Sequence, residues 1–240
     1  MTHLLQSPTQ NKILGALPDE EYRRLLPFLE LVHLPLGYVI HERSTRITQL
    51  YFPTTFIAAR VYELRSGISR LVSMTGNEGV TDMFLLFGWD GTPATVLVQS
   101  AGYGYRIKAN ALKREFESGG ALQQLLLRFS RTLLLQTEQS ALEVYLTIEQ
   151  RLCCFFLMIL DRLPTDSMTM THEFVSKMLG VRRESVSMAA HMLQVEGAIQ
   201  YRRGHITVVN RKLMEDRVHE GYLMLREEYN NLLPADACNH

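Results

Sequence analysis

Three consecutive residues, Arg182-Arg183-Glu184, concentrate more charge than any neighbouring stretch. They open a segment, Arg182 to Leu193, in which Val186, Ala190 and Leu193 recur at i, i+4 and i+7, the spacing of one helical face. That spacing turns Glu184, Ser187, Met188 and His191 to the opposite face, with Arg183 on the leading turn. A second cationic pair, Arg202-Arg203, precedes Gly204 between two alternating runs, Ala198 to Tyr201 and His205 to Val209. A glycine-containing tight turn between such runs is a hairpin signal, and two arginines at its tip suit a phosphate backbone. Between Lys177 and Lys212 seven basic residues stand against two acidic ones, although the 240-residue chain has a formal net charge of zero. A local positive patch of this kind serves phosphate contact whatever the total charge.

The elements that must position these residues can be read outward from them. Thr171 can cap a short helix whose buried face is Phe174, Val175, Met178 and Leu179. Gly180 fits the tight turn that follows, and the Arg182–Leu193 helix comes next. Two helices about a glycine turn, followed by a hairpin, form a winged helix-turn-helix pattern. Asn210 to Leu233 reads as a final helix stopped by Pro234, with Ala235 to His240 a loose tail.

Upstream, residues 11–31 read as helical, with Asp19 as a cap and Leu25, Leu26 and Leu29 at helical spacing. From Pro35 to Ile107 the texture changes to short β-rich runs, broken by Gly, Pro, Asn and Asp. They are Tyr38 to Ile40, Leu50 to Phe52, Phe56 to Leu64, Ser69 to Met74, Ala94 to Gln99 and Gly104 to Ile107. This predicts an antiparallel sandwich or barrel. Residues 109–117 return to helical period, Ser118-Gly119-Gly120 interrupts it, and 121–146 form a long helix. Its stripe of Leu122, Leu125, Leu126, Phe129, Leu133 and Gln136 is expected to pair with a second copy, the alternative being that it packs only on the sheet. Ile148 to Arg162 is apolar nearly all round and is expected to be buried; Leu163 to Ser167 reads as a loop.

Over residues 148–232, and most closely over Thr171 to Ile199, the wing Tyr201 to Val209 and Ile148-Glu149-Gln150-Arg151-Leu152, the chain resembles the cyclic-AMP receptor and fumarate–nitrate regulator (Crp/Fnr) family. The resemblance extends more weakly over 11–147. It implies an α+β chain: a sensor domain at 1–120 built as an antiparallel β jelly roll like the cyclic-nucleotide-binding domain, a dimerisation helix at 121–147, and a winged helix-turn-helix at 148–240. It implies a homodimer on a pseudo-palindromic promoter, with RNA polymerase as a further partner. It assigns base reading to Arg183 and Glu184, where Arg can donate twice to guanine and Glu can accept from cytosine. Thr171, Arg182, Arg202 and Arg203 become phosphate anchors, and Ser187, Met188 and His191 complete the DNA-facing set.

Two positions depart from the family pattern. Where the best-known member has a third arginine reader, this chain has Met188, which cannot donate but can touch a thymine methyl. Where a Ser or Thr cap is usual, it has Arg182, so that a phosphate contact would replace the cap. In the sensor domain, the stretches matching the family's phosphate-binding segment, Gly76 to Asp82 and Gly88 to Thr95, contain no arginine. A buried phosphate without a cation is costly, so control by cyclic AMP in the usual way is not expected. Glu78, Thr92 and Arg106 are the candidate ligand contacts, and whether an effector exists at all stays open.

Other classes fit less well. Cys153 and Cys154 are adjacent and Cys238 is far away, which is neither a disulfide framework nor a metal pattern, and no cysteine precedes 153 to hold an iron–sulfur cluster. His33 and His41 carry nothing that singles them out for haem, so no cofactor and no metal is expected. A metal-dependent enzyme on the β domain would need clustered ligands, yet His41 is the only histidine between Pro35 and Ile107, and no nucleophile elbow occurs; no catalytic residue is expected. A ligand-binding module whose winged helix contacts protein remains the alternative. No run approaches the ~20 apolar residues that span a bilayer, and the polar Met1–Lys12 start lacks a signal-peptide core, so the chain is expected in the cytoplasm.

Overall fold

The computed structural model describes residues 6–202 and 204–232; Arg203, Pro234 and the segment from Ala235 to His240, with Cys238, lie outside the described residues. The chain begins with α1 (Lys12–Gly15) and α2 (Asp19–Leu25), followed by β1 (Glu30–Leu34) and β2 (Val39–His41). The helix expected over 11–31 therefore ends early. Pro27 lies in a single 3-10 turn, Leu26–Phe28, and the chain then extends so that β1 pairs antiparallel with a strand far downstream. A proline cannot supply the N–H an α-helix needs there, and the downstream partner offers hydrogen bonds that local spacing cannot reveal.

Next come β3 (Gln49–Pro53), β4 (Ile57–Glu63), β5 (Ser69–Thr75), β6 (Thr95–Ser100) and β7 (Gly102–Lys108). They form a three-stranded sheet in the order β1-β7-β3 and a four-stranded sheet in the order β2-β6-β4-β5. Registers such as Leu31↔Tyr105 and Phe52↔Tyr105 pin the first sheet. Then follow α3 (Ala109–Glu117), the long α4 (Ala121–Leu142) and α5 (Ile148–Leu160). Helix α4 stops four residues short of expectation. Glu143–Tyr145 is a 3-10 turn, and Thr147 is extended because it caps α5 in a reciprocal box with Gln150. Ser167, expected as the last residue of a loop, instead opens β8 (Ser167–Thr169). After α6 (His172–Leu179) and α7 (Arg183–Val195) come β9 (Ile199–Arg202) and β10 (His205–Val208), and β10 pairs with both β8 and β9. The expected final helix is two, α8 (Arg211–Glu215) and α9 (Glu220–Asn230), broken where Arg217 turns to pair with Glu196 at 2.5 Å.

These elements make two compact units. The first holds residues 6–60, 74–135 and 227–232; the second holds 61–73 and 136–226. In the first, Asn11 is wholly buried and every polar atom of its side chain is used. Its carbonyl oxygen accepts from the amides of Ile13 and Leu14, capping α1, and its amide donates to the carbonyls of Pro53 and Gly79. Gly79 is itself held by contact. A Cβ there would lie 2.0 Å from the ring of Phe129 on α4, so only glycine lets the 76–82 loop lie against that helix. Helix α4 begins on a carboxylate, since Glu21 accepts from the amides of Ala121 and Leu122. Leu122, Leu125, Leu126 and Phe129 are buried in this unit's core with Leu50, Phe52 and Ile107, and Leu133 packs against them. The stripe expected to pair with a second copy is thus spent inside the protomer. Leu232 joins the same core, and Glu228 pairs with Arg131 of α4 at 2.5 Å.

The second unit is built around α5, buried from Arg151 to Leu160, against which α7 packs. The tip of the β4–β5 hairpin belongs to it. Arg70 donates to the carbonyl of Ser140 and pairs with Glu143, while Arg151 donates to the carbonyl of Leu179, the last residue of α6.

Candidate nucleic-acid interface

The helix-turn-helix forms as its spacing predicts. Thr171 Oγ1 accepts from the Phe174 amide at 3.1 Å and caps α6. Gly180 ends α6 at φ +64°, a left-handed conformation that favours glycine. A Cβ there would also approach the Ser69 carbonyl to 3.1 Å. Helix α7 buries Val186, Ala189, Ala190 and Leu193, three of which were expected to face inward. Arg182 takes the cap position with no side-chain cap hydrogen bond, so the first amides of α7 have no partner from it.

The opposite face is free. Arg182, Arg183 and Glu184 are exposed, and among the described residues none of their side chains makes a hydrogen bond or ion pair. His191 and Met188 are exposed on the same side. Two guanidiniums and a carboxylate held unpaired at an uncapped helix start can bind anionic oxygens and amines without first breaking internal contacts. At the wing, Arg202 is exposed at the end of β9, and Gly204 makes the turn at φ +83°. Arg203, expected as its neighbour anchor, lies outside the described residues.

Ser187 differs from expectation in being engaged. Its hydroxyl lies 2.8 Å from His172 Nδ1, and the His172 ring stacks on Tyr201 of the wing, with centroids 4.3 Å apart and planes 23° apart. His172 thus ties the start of α6, the middle of α7 and the wing together. Burial, and then the Arg183 charge, push its imidazole below the usual range. No sequence spacing pointed to this residue; only the sheet that carries Tyr201 brings the three groups together.

A family model for the Crp-like helix-turn-helix domain matches residues 150–217. Among solved structures, the chain is similar to a protein of Eubacterium rectale assigned to the Crp/Fnr regulators, at 16% identity and TM-score 0.67, over 87% of this chain and 98% of that one. It is similar to FixK2 of Bradyrhizobium japonicum at 16% identity and TM-score 0.66, over 80% and 98%. It is also similar to CLP of Xanthomonas campestris, a c-di-GMP-responsive global regulator, at 15% identity and TM-score 0.63, over 80% and 99%. At these identities the structures speak for the fold, and the matched domain speaks for DNA. Residues 150–217 are thus a Crp-like helix-turn-helix domain, in a chain with the fold of a solved Crp/Fnr regulator. No curated protein matches its sequence.

In the β unit the candidate ligand residues are each engaged within the protein. Glu78 is buried and accepts from the Gly76 amide; Thr92 is buried and donates to the Ala94 carbonyl. Arg106 forms a two-pronged pair with Glu30 on the neighbouring strand at 2.6 Å. Within the 76–82 loop, Asp82 adopts φ +52° and is buried, and neither of its oxygens has a hydrogen-bond partner. His41 Nε2 approaches it at 3.5 Å, and Arg60, whose guanidinium lies over the Phe84 ring, also acts on it. Burial outweighs both cations and pushes the carboxyl up to about 6. A phosphate brought to this loop would meet the Asp82 carboxyl.

Among the described residues no group of three His, Cys, Asp or Glu is placed to hold a metal, and no helix is long and apolar enough to cross a membrane. Cys153 and Cys154 are buried, and their thiols are pushed up to about 12 by that burial, which leaves them inert.

Proposed function

We propose that the chain is a DNA-binding transcription regulator of the Crp/Fnr type, acting in the cytoplasm as a homodimer on a pseudo-palindromic promoter site, each protomer laying α7 into a major groove. Arg183 and Glu184 read a G·C step, while Thr171, Arg182, Arg202 and Arg203 hold phosphates and His191 approaches the backbone. The observation that carries this reading is the unpaired, exposed Arg182-Arg183-Glu184 run at the uncapped start of α7. The pairing surface is the free side of α4, where Leu127, Leu134 and Ala141 stand seven residues apart and exposed, with Leu142 beside them and Tyr145 85% exposed just beyond. A seven-residue apolar repeat is the seam of a helix pair. Such a pair would set the two α7 helices about one DNA turn, ~34 Å, apart. No catalytic role is assigned to any residue.

Cyclic AMP is not the controlling ligand in this reading, because the loop that would hold its phosphate presents Asp82. RNA polymerase is the expected partner of a regulator of this type once on DNA. The test is an electrophoretic shift with an operator selected from a random library. Replacing both Arg183 and Glu184 by Ala should abolish specific binding, a loss of about 2–6 kcal/mol per half-site if each contact contributes about 1–3. Unchanged thermal unfolding would show the fold intact, and an unchanged shift would overturn the reader assignment.

A further inference from the structure

Thymine differs from the other three bases at the major-groove edge in one way that is not a hydrogen bond: its C5 methyl group. A side chain that reads the methyl must be apolar, must be exposed before DNA arrives and must lie on the groove face of the helix. Helix α7 carries such a stripe directly behind Glu184. Met188 is 68% exposed, Met192 45% and Val195 68%. At about 100° per residue Met188 and Val195 fall within roughly 40° of Glu184 around the axis, and Met192 within roughly 80°. Met188 stands about 6 Å beyond Glu184 along the helix, close to two base-pair steps.

The stripe runs on from Glu184 along one face of α7, with exposed His191 between Met188 and Val195. Two unpaired cations beside it select a polyanion rather than an apolar protein surface. A thioether is flexible and polarizable, and it can settle against a methyl group without a fixed angle.

We infer that Met188 reads a thymine methyl about two base pairs from the Arg183–Glu184 step in each half-site, with Met192 packed behind it. Specificity at that pair comes from an apolar contact, where Arg183 and Glu184 use hydrogen bonds. The inference rests on the proposed reading of α7 as the groove helix.

The experiment uses the full chain and the selected operator, with each thymine replaced in turn by uracil, which removes the methyl and nothing else. One position per half-site should lose about fourfold in affinity, the value of one buried methyl-sized group. Met188→Ala should bind the thymine and uracil duplexes equally, whereas Met188→Leu, still apolar, should keep the preference. Indifference of the native protein to every thymine-to-uracil change overturns the inference. So does a uracil effect that persists undiminished in Met188→Ala. Failure of the parent reading is visible separately, because the Arg183→Ala, Glu184→Ala double variant would then still discriminate the G·C step.

Discussion

The two units spend their polar side chains in opposite directions. In the β unit Asn11, Glu78 and Thr92 are turned inward and used in holding the chain together, and Arg106 is tied to the neighbouring strand. In the winged unit Arg182, Arg183, Glu184, His191 and Arg202 are turned outward and left without partners among the described residues. A change in the first unit should therefore register in stability, and a change on the face of α7 or the wing should register in binding.

The largest expected effect on stability is at Gly79. A methyl group there drives into the Phe129 ring, and Gly79→Ala should cost about 3 kcal/mol in urea unfolding, at the upper end of overpacking effects. Phe129→Leu in the same chain should recover part of that loss. If Gly79→Ala instead unfolds like the native protein, the inward half of the contrast fails.

The pH dependence should separate the units by sign. Asp82 has its folded pKa raised from 3.8 to about 6, so its contribution is full below about 3.8 and is lost as pH rises through about 6. Asp82→Asn, which tolerates the left-handed backbone, should flatten that dependence by on the order of 2 kcal/mol. His172 and His219 have folded pKa values lowered by burial, so their contribution is full above 6.5 and is lost as pH falls below it. His172→Gln should reduce that acid-side loss, and calorimetry from pH 3 to 8 reads both slopes.

The smallest effect sharpens the outward half. Arg202→Ala should leave thermal unfolding unchanged and lower the slope of log K against log salt by about two, one for each protomer. A clear drop in melting temperature would mean that Arg202 is structural.

Much of the winged unit was legible because its function is local and periodic. Thr171, Gly180, the inward Val186-Ala190-Leu193 set and the outward Arg183-Glu184 pair all follow from residues a few positions apart. The β runs were legible as texture, but β1 was not, since its partner is 70 residues away in β7. The stripe on α4 was legible as apolar and misassigned to a second copy. Period alone does not tell which side of a helix meets its own sheet, and the exposed Leu127, Leu134 and Ala141 sit on the other side. His172 and Asp82 were invisible for a related reason: one gains its role from a stacked ring on the wing, the other from burial.

The position of Leu232 also bears on how the chain is born. The β unit buries this residue in its core and ties Glu228 to Arg131, yet both follow the whole winged unit in the sequence. On a ribosome adding about 5–20 residues per second, the roughly 100 residues between Leu135 and Leu232 take some 5–20 s to emerge. The N-terminal unit is thus synthesised first and sealed last, and a message cut short before codon 232 would release a winged unit attached to an unfinished partner.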